Sequence, residues 1–188
     1  TALSMIETNG FSASLDYTFQ IAKGSASDPQ QARNAIAGGS LPEIQLTPLD
    51  WDQRNTVNMS LAYDRANWGI SGIGQFGSGL PYTPLSTEDI SSLVLNSGKK
   101  PLTWNVDLKG YFIPRGGLRL FVRAENIFDR LNPYTVYDDS GVADFTRWEN
   151  IAKSQNTGEP INSISKWFLN ETFYSNPRRI ELGLSYVF

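Results

Sequence analysis

The residue types on which most enzyme sites are built are missing, since the 188 residues include no His and no Cys. Without His the chain lacks the usual general base and the commonest transition-metal ligand. Without Cys it has neither a thiol nucleophile nor a disulfide framework. What remains is carboxylate oxygens, cations and aromatic rings. Asp138-Asp139-Ser140-Gly141 could offer oxygens to Ca²⁺. It lacks the ligand spacing of a known loop, and Asp and Gly are ordinary turn residues, so a turn is the preferred reading and no metal or cofactor is expected. Tyr134, Tyr137, Trp148, Trp167, Phe168 and Tyr174 could stack on a ligand or sugar. The plainer alternative, which is favoured, packs them against a neighbouring loop or a partner. Arg119 and Arg123 could attract anions, but ion pairing with Asp107 or Glu125 competes and is preferred. No acid–base pair or activated nucleophile emerges, and the missing His argues against a Ser–His site. No enzyme is expected. A net charge of -3 and a pI near 5.0 give no reason for a nucleic-acid partner.

The elements that would carry these residues follow a period of two. Phe11, Ala13, Leu15, Tyr17 and Phe19 alternate with Ser12, Ser14, Asp16, Thr18 and Gln20. This is a half-apolar strand of about 9–11 residues, the length that crosses a membrane. The same alternation returns at Val57, Met59, Leu61 and Tyr63, and again from Trp68 through Ile70, Gly72 and Gly74 to Phe76. Leu102, Trp104, Val106, Leu108 and Phe112 form another apolar face, and Leu118, Leu120, Val122 and Ala124 the next. Thr1 to Glu7 reads as the tail of a strand whose faces are ambiguous. In the last strand Ile180, Leu182, Leu184, Tyr186 and Phe188 share one face, with Glu181, Gly183 and Ser185 on the other. The expectation is an all-β chain of seven strands.

Connection lengths sharpen this. Long loops fall at about 23–50, 77–101 and 129–177, and short turns at about 7–10, 65–66 and 114–117. Asn9-Gly10 is the strongest hairpin signal, because both residues tolerate positive φ. Ala32 to Ala37 reads as a short helical turn inside the first long loop. Short turns on one side and long loops on the other is the pattern of a transmembrane antiparallel β-barrel of the outer-membrane type. A β-sandwich has no reason to keep it. The short turns and Phe188 are then periplasmic and the long loops extracellular. Tyr63 and Trp68 are expected in the periplasmic aromatic girdle. The inner face, with Asp16, Asp64, Asp107, Lys109, Arg119, Arg123, Glu125 and Glu181, suits water or a polar plug. In the hairpin around Arg115, a register with partner numbers summing to about 230 sets Asp107 opposite Arg123 and Leu108 opposite Val122.

No run of 18 or more apolar residues exists, which excludes a spanning helix. The chain starts at Thr1 without a Met or a charged-then-apolar leader. The expectation is the back end of a longer protein, or a mature fragment. Seven strands have the wrong parity for a single-chain bacterial barrel, so strands from the N-terminal side must complete it. The alternation ending in Phe188 resembles the C-terminal signal by which the barrel-assembly machinery recognises its clients.

Four motifs carry a wider resemblance. They are Trp51-Asp52-Gln53-Arg54-Asn55, Ser78-Gly79-Leu80-Pro81-Tyr82-Thr83-Pro84, Glu125-Asn126-Ile127-Phe128-Asp129 with Asn132, and Asn176-Pro177-Arg178-Arg179. In this order they resemble the last strands of TonB-dependent outer-membrane receptors of the type with an N-terminal carboxypeptidase-regulatory-like domain, common in Bacteroidota. The likeness covers essentially all 188 residues. Relatives often have His where this chain has Asn55. The resemblance implies a 22-stranded barrel of which residues 1–188 are the last seven strands. It also implies a plug domain and a TonB-contacting segment elsewhere in the protein, and import of a bulky, scarce extracellular ligand. The location implied is the outer membrane of a Gram-negative bacterium. A structural or adhesive barrel with the same fold and no transport is the alternative. Asn58-Met59-Ser60 and Asn170-Glu171-Thr172 match a glycosylation acceptor, which this reading sets aside.

Overall fold

The structure is a computed structural model that describes residues 1–85, 94–114, 117–156 and 163–186, with the side chains of 5–8 outside that description. In chain order the elements are β1 (Ala2–Thr8), β2 (Phe11–Phe19), β3 (Lys23–Gly24), α1 (Gln31–Ala37), β4 (Thr47–Pro48), β5 (Asn55–Asp64) and β6 (Trp68–Gly77). Then come β7 (Pro81–Tyr82), β8 (Gly98–Lys99), β9 (Thr103–Phe112), β10 (Leu118–Glu125), α2 (Arg147–Gln155), α3 (Ile164–Phe168), a 3₁₀ turn (Glu171–Phe173) and β11 (Arg179–Tyr186).

The long strands form one antiparallel sheet of seven, in the order β1-β2-β5-β6-β9-β10-β11. Each strand pairs with the one beside it in the chain, so local hairpin geometry sets the whole topology. β1 and β11 are the edges, and the described strands do not close on themselves. One row of backbone partners crosses the sheet through Thr8, Phe11, Tyr63, Ile70, Gly110, Val122 and Leu182. It begins at the very ends of β1 and β2, but on β10 it lies four residues inside the start at Leu118. The strands are therefore staggered.

Because side chains alternate, that row fixes which residues share a face. Phe11 to Phe19, Val57 to Tyr63, Trp68 to Phe76, Trp104 to Phe112, Leu118 to Ala124 and Ile180 to Tyr186 put their alternate residues on the apolar side. Ser, Thr, Asn, Asp, Lys and Arg dominate the other side. Among the described residues only Val136 and Ala143 are buried hydrophobics, and both lie outside the sheet. The accessible surface is 13379 Å², against about 9,000 Å² for a compact monomer of this mass. No second layer covers either face among the described residues.

Short connections join β1 to β2, β5 to β6 and β9 to β10, and long ones join the other neighbouring strands of the large sheet. Asn9 and Gly10 both have positive φ and make a two-residue turn between Thr8 and Phe11. A Cβ at Gly10 would collide with the Asp64 carbonyl, so the turn needs glycine for space as well as for φ. Asp64 N–H donates to Gly10 O at 2.7 Å and Ile113 N–H to Asn67 O at 2.7 Å, which ties the three short turns into one rim. The 114–117 turn is centred on Arg115 and Gly116, which lie outside the described residues. The three long connections leave the opposite rim.

The β9–β10 register differs from expectation by two residues. Arg123 is opposite Lys109, Val122 opposite Gly110, and Ala124 opposite Leu108. A shift of two keeps every side chain on its expected face, so facial pattern cannot distinguish the two registers. The observed one sets Phe121 opposite Tyr111 and lets Asp107 Oδ1 accept the Asn126 N–H at 2.8 Å. Arg123 pairs instead with Glu181 across the β10–β11 pair, at 3.6 Å. Arg119 has no carboxylate within ion-pair distance among the described residues, and its guanidinium lies 4.2 Å over the Tyr111 ring.

Candidate functional site

The four motif stretches all lie at the rim that bears the long loops, and the structure gives each a job. Asp52 is wholly removed from solvent. Its carboxylate accepts the Ala22 N–H at 2.8 Å, the Arg54 Nε–H at 2.9 Å and the Lys99 ammonium at 3.4 Å. Burial opposes ionisation of this carboxyl, but the Ala22, Arg54 and Lys99 donors outweigh burial and hold its pKa below the ordinary Asp value. Gln53 Nε2–H donates to Ser78 O at 2.9 Å, and Asn55 N–H to Ser78 Oγ at 2.9 Å. The first motif is thereby joined to the second. Asn55 also accepts from Tyr17 OH at 2.8 Å.

The third motif turns the chain out of β10. Asn126 has φ 50, a conformation Asn tolerates better than most residues. Its side chain accepts the Arg130 N–H at 3.0 Å and donates to Arg130 O at 2.9 Å and Asn176 O at 3.1 Å. Asn132 is buried, accepting the Trp104 N–H at 3.0 Å and donating to Trp104 O at 2.9 Å. Asp129 accepts the Arg178 N–H at 2.8 Å. The third and fourth motifs thus clamp the two stems of the last loop.

Beneath this clamp is a polar cavity of about 400 Å³. Its lining includes Gln75, Asn105, Asp107 and Glu125 from the polar face, with Asn132, Tyr134, Asn176 and Arg178 from the loop. Asn105 Oδ1 is buried without a hydrogen-bond partner among the described residues. With acids and guanidinium groups both present, the cavity has hydrogen-bonding capacity of either polarity and no assembled catalytic group. Among the described residues no cluster of three or more acidic side chains could hold a metal.

The aromatic candidates divide into two sets. Tyr137 is part-buried, donating its OH to Phe168 O and packing 5.0 Å from the Phe173 ring. Burial raises its pKa, and Asp139 and Glu149 raise it further. Tyr174 is likewise part-buried, bridged to Pro133, with its pKa raised by burial and then by Asp144 and Tyr137. These two hold the last loop together. Tyr134, Trp148 and Trp167 are 62%, 53% and 84% exposed. Among the described residues no ring contact joins them, and only Tyr134 reaches the cavity. Asp139 has a role within the loop. It accepts from Thr146 Oγ1 at 2.8 Å and from the Arg147 N–H at 2.7 Å, where α2 begins.

Ile180, Leu182, Leu184 and Tyr186 are exposed on the apolar face, in line along β11. Phe188, the last residue expected in that row, lies outside the described residues. Tyr63 and Trp68 pack together on the apolar face at the short-turn rim, 5.5 Å between ring centroids. Comparison with protein-family models, with curated proteins and with solved structures returned no match.

Proposed function

We propose that this chain supplies seven wall strands of an outer-membrane receptor that imports a bulky, scarce extracellular ligand, with energy coupled through TonB. The observation that carries the reading is the apolar face. It is exposed over six neighbouring strands, from β2 to β11, and bounded at both ends by aromatic rings. Phe11, Tyr63, Trp68, Phe112 and Tyr186 stand near the short-turn rim, and Phe19, Phe76, Trp104 and Phe128 near the other. The eight-residue step from Phe11 to Phe19 is roughly 27 Å along the strand, which suits an apolar band about 25 Å tall with aromatic girdles. Hydrocarbon cannot hydrogen-bond the unpaired backbone of β1 and β11, so further strands must close the wall. The motif resemblance supports a 22-stranded receptor with its own plug as the complete wall.

A structural or adhesive barrel without transport is the second reading. Its support is that Tyr134, Trp148 and Trp167 are exposed and, among the described residues, share no ring contact. Uptake by energised cells, after and before collapse of the proton-motive force, separates the two. The receptor reading expects surface binding to persist and uptake to stop. Binding without uptake in either condition favours the structural barrel, and uptake indifferent to de-energising overturns energy coupling.

A further inference from the structure

We infer that the described parts of the three long loops form one pre-assembled wall, locked at Asp52, rather than separate flaps. The inference rests on contacts between loops and does not depend on the transport reading. The first long loop (20–54) and the second (78–102) share more than the Asp52–Lys99 ion pair. Lys99 Nζ also donates to Asp52 O at 3.2 Å, and Asn96 Nδ2 donates to Pro48 O at 2.8 Å and Asp50 Oδ1 at 2.7 Å. The second loop meets the third (126–178) where Leu85 N–H donates to Asp138 O at 2.9 Å and Lys100 Nζ to Tyr134 O at 2.9 Å. At Gly141 the Tyr82 hydroxyl approaches so closely that a Cβ would clash with it.

Asp52 is the node of this network. Through Ala22 N–H it holds the outgoing stem of the first loop to the returning stem, and through Lys99 it holds both to β8. A buried carboxylate with several charged and backbone donors is an all-or-none joint. Removing a partner leaves charge without compensation, so the remaining contacts loosen together. Such a joint couples loops far apart in sequence. A molecule arriving at this rim therefore meets a surface held fixed at 20–24, 47–54 and 94–100, and its capture leaves these segments in place.

Hydrogen–deuterium exchange of the whole protein in detergent or vesicles, with Asp52→Asn and Lys99→Met beside the wild type, tests this. The wall requires that wild-type amides at 22, 49, 85 and 100 be protected to similar extents. Asp52→Asn should speed exchange at least ten-fold in 94–100 as well as in 20–24. Lys99→Met should reach back into 20–24 and 47–54 to the same degree. Unchanged protection in 57–63 and 103–112 shows that the sheet is intact in each variant. Effects confined to the loop that carries the substitution would overturn the inference, as would wild-type loops exchanging at widely different rates. Should Asp52→Asn fail to assemble, Lys99→Met alone decides, because its side chain is 42% exposed and its loss opens no cavity in the sheet.

Discussion

A carboxylate with no surface in water is tolerated at Asp52 only because three donors converge on it. Its folded pKa is lowered, so the joint contributes stability at pH values above the unfolded pKa of about 3.9 and loses it as pH falls through the folded value. Limited proteolysis of the loop rim should accordingly increase when pH drops from 7 to below 4. Asp52→Asn should be cut readily at both pH values, because its joint is already weakened at pH 7. Equal resistance of the wild type across that range would contradict this assignment. Asn126 makes a second residue-scale test. Asn126→Ala removes three side-chain hydrogen bonds and forces Ala into φ 50, so the loss should be about 2–5 kcal/mol. Asn126→Gly keeps the backbone relaxed and should cost less. Melting of the two variants in detergent gives the order, and Gly no milder than Ala would remove the backbone part of the argument.

Within elements, the sheet was legible and the loops largely were not, for identifiable reasons. A period of two places Leu108 and Lys109 on opposite faces whatever the neighbouring strands do, so the faces followed from sequence alone. Register did not, because Asp107 opposite Arg123 and Lys109 opposite Arg123 satisfy the same pattern. The β3–β4 and β7–β8 hairpins are two residues per strand, too short for any period, and are set by contacts across the loops. α2 did leave a local signal: Thr146 and Glu149 have the spacing of a capping box, and Thr146 Oγ1 accepts the Trp148 N–H at 3.3 Å. The site was less legible than the fold. Asp52 and Asn126 belonged to motifs whose likeness could be seen, yet their partners Lys99 and Asn176 are 47 and 50 residues away. Face assignment yields a prediction at this scale. Leu108→Arg, mid-band on the apolar side, should cost about 2–4 kcal/mol in folding into vesicles, while Ser71→Arg on the polar side costs less than about 1 kcal/mol. Similar costs at both positions would deny the difference between the faces.

For the whole molecule, the governing fact is that the described residues form a sheet without a core. Two buried hydrophobic residues among those described cannot offset the entropy of ordering so many strands in water. On the proposed reading lipid is the solvent of the apolar face, and the step of roughly 27 Å from Phe11 to Phe19 is comparable with a bilayer's apolar band. Residues 1–188 hold no Cys, so a single cysteine introduced among them is the only spin-label site in this stretch. The most direct test is a nitroxide scan of positions 104–111 in the protein reconstituted into lipid vesicles, read by collision with oxygen and with a water-soluble nickel complex. Lipid contact requires oxygen to dominate at 104, 106, 108 and 110 and nickel to dominate at 105, 107, 109 and 111. Nickel dominating at both odd and even positions, or no alternation at all, would contradict a membrane-embedded wall.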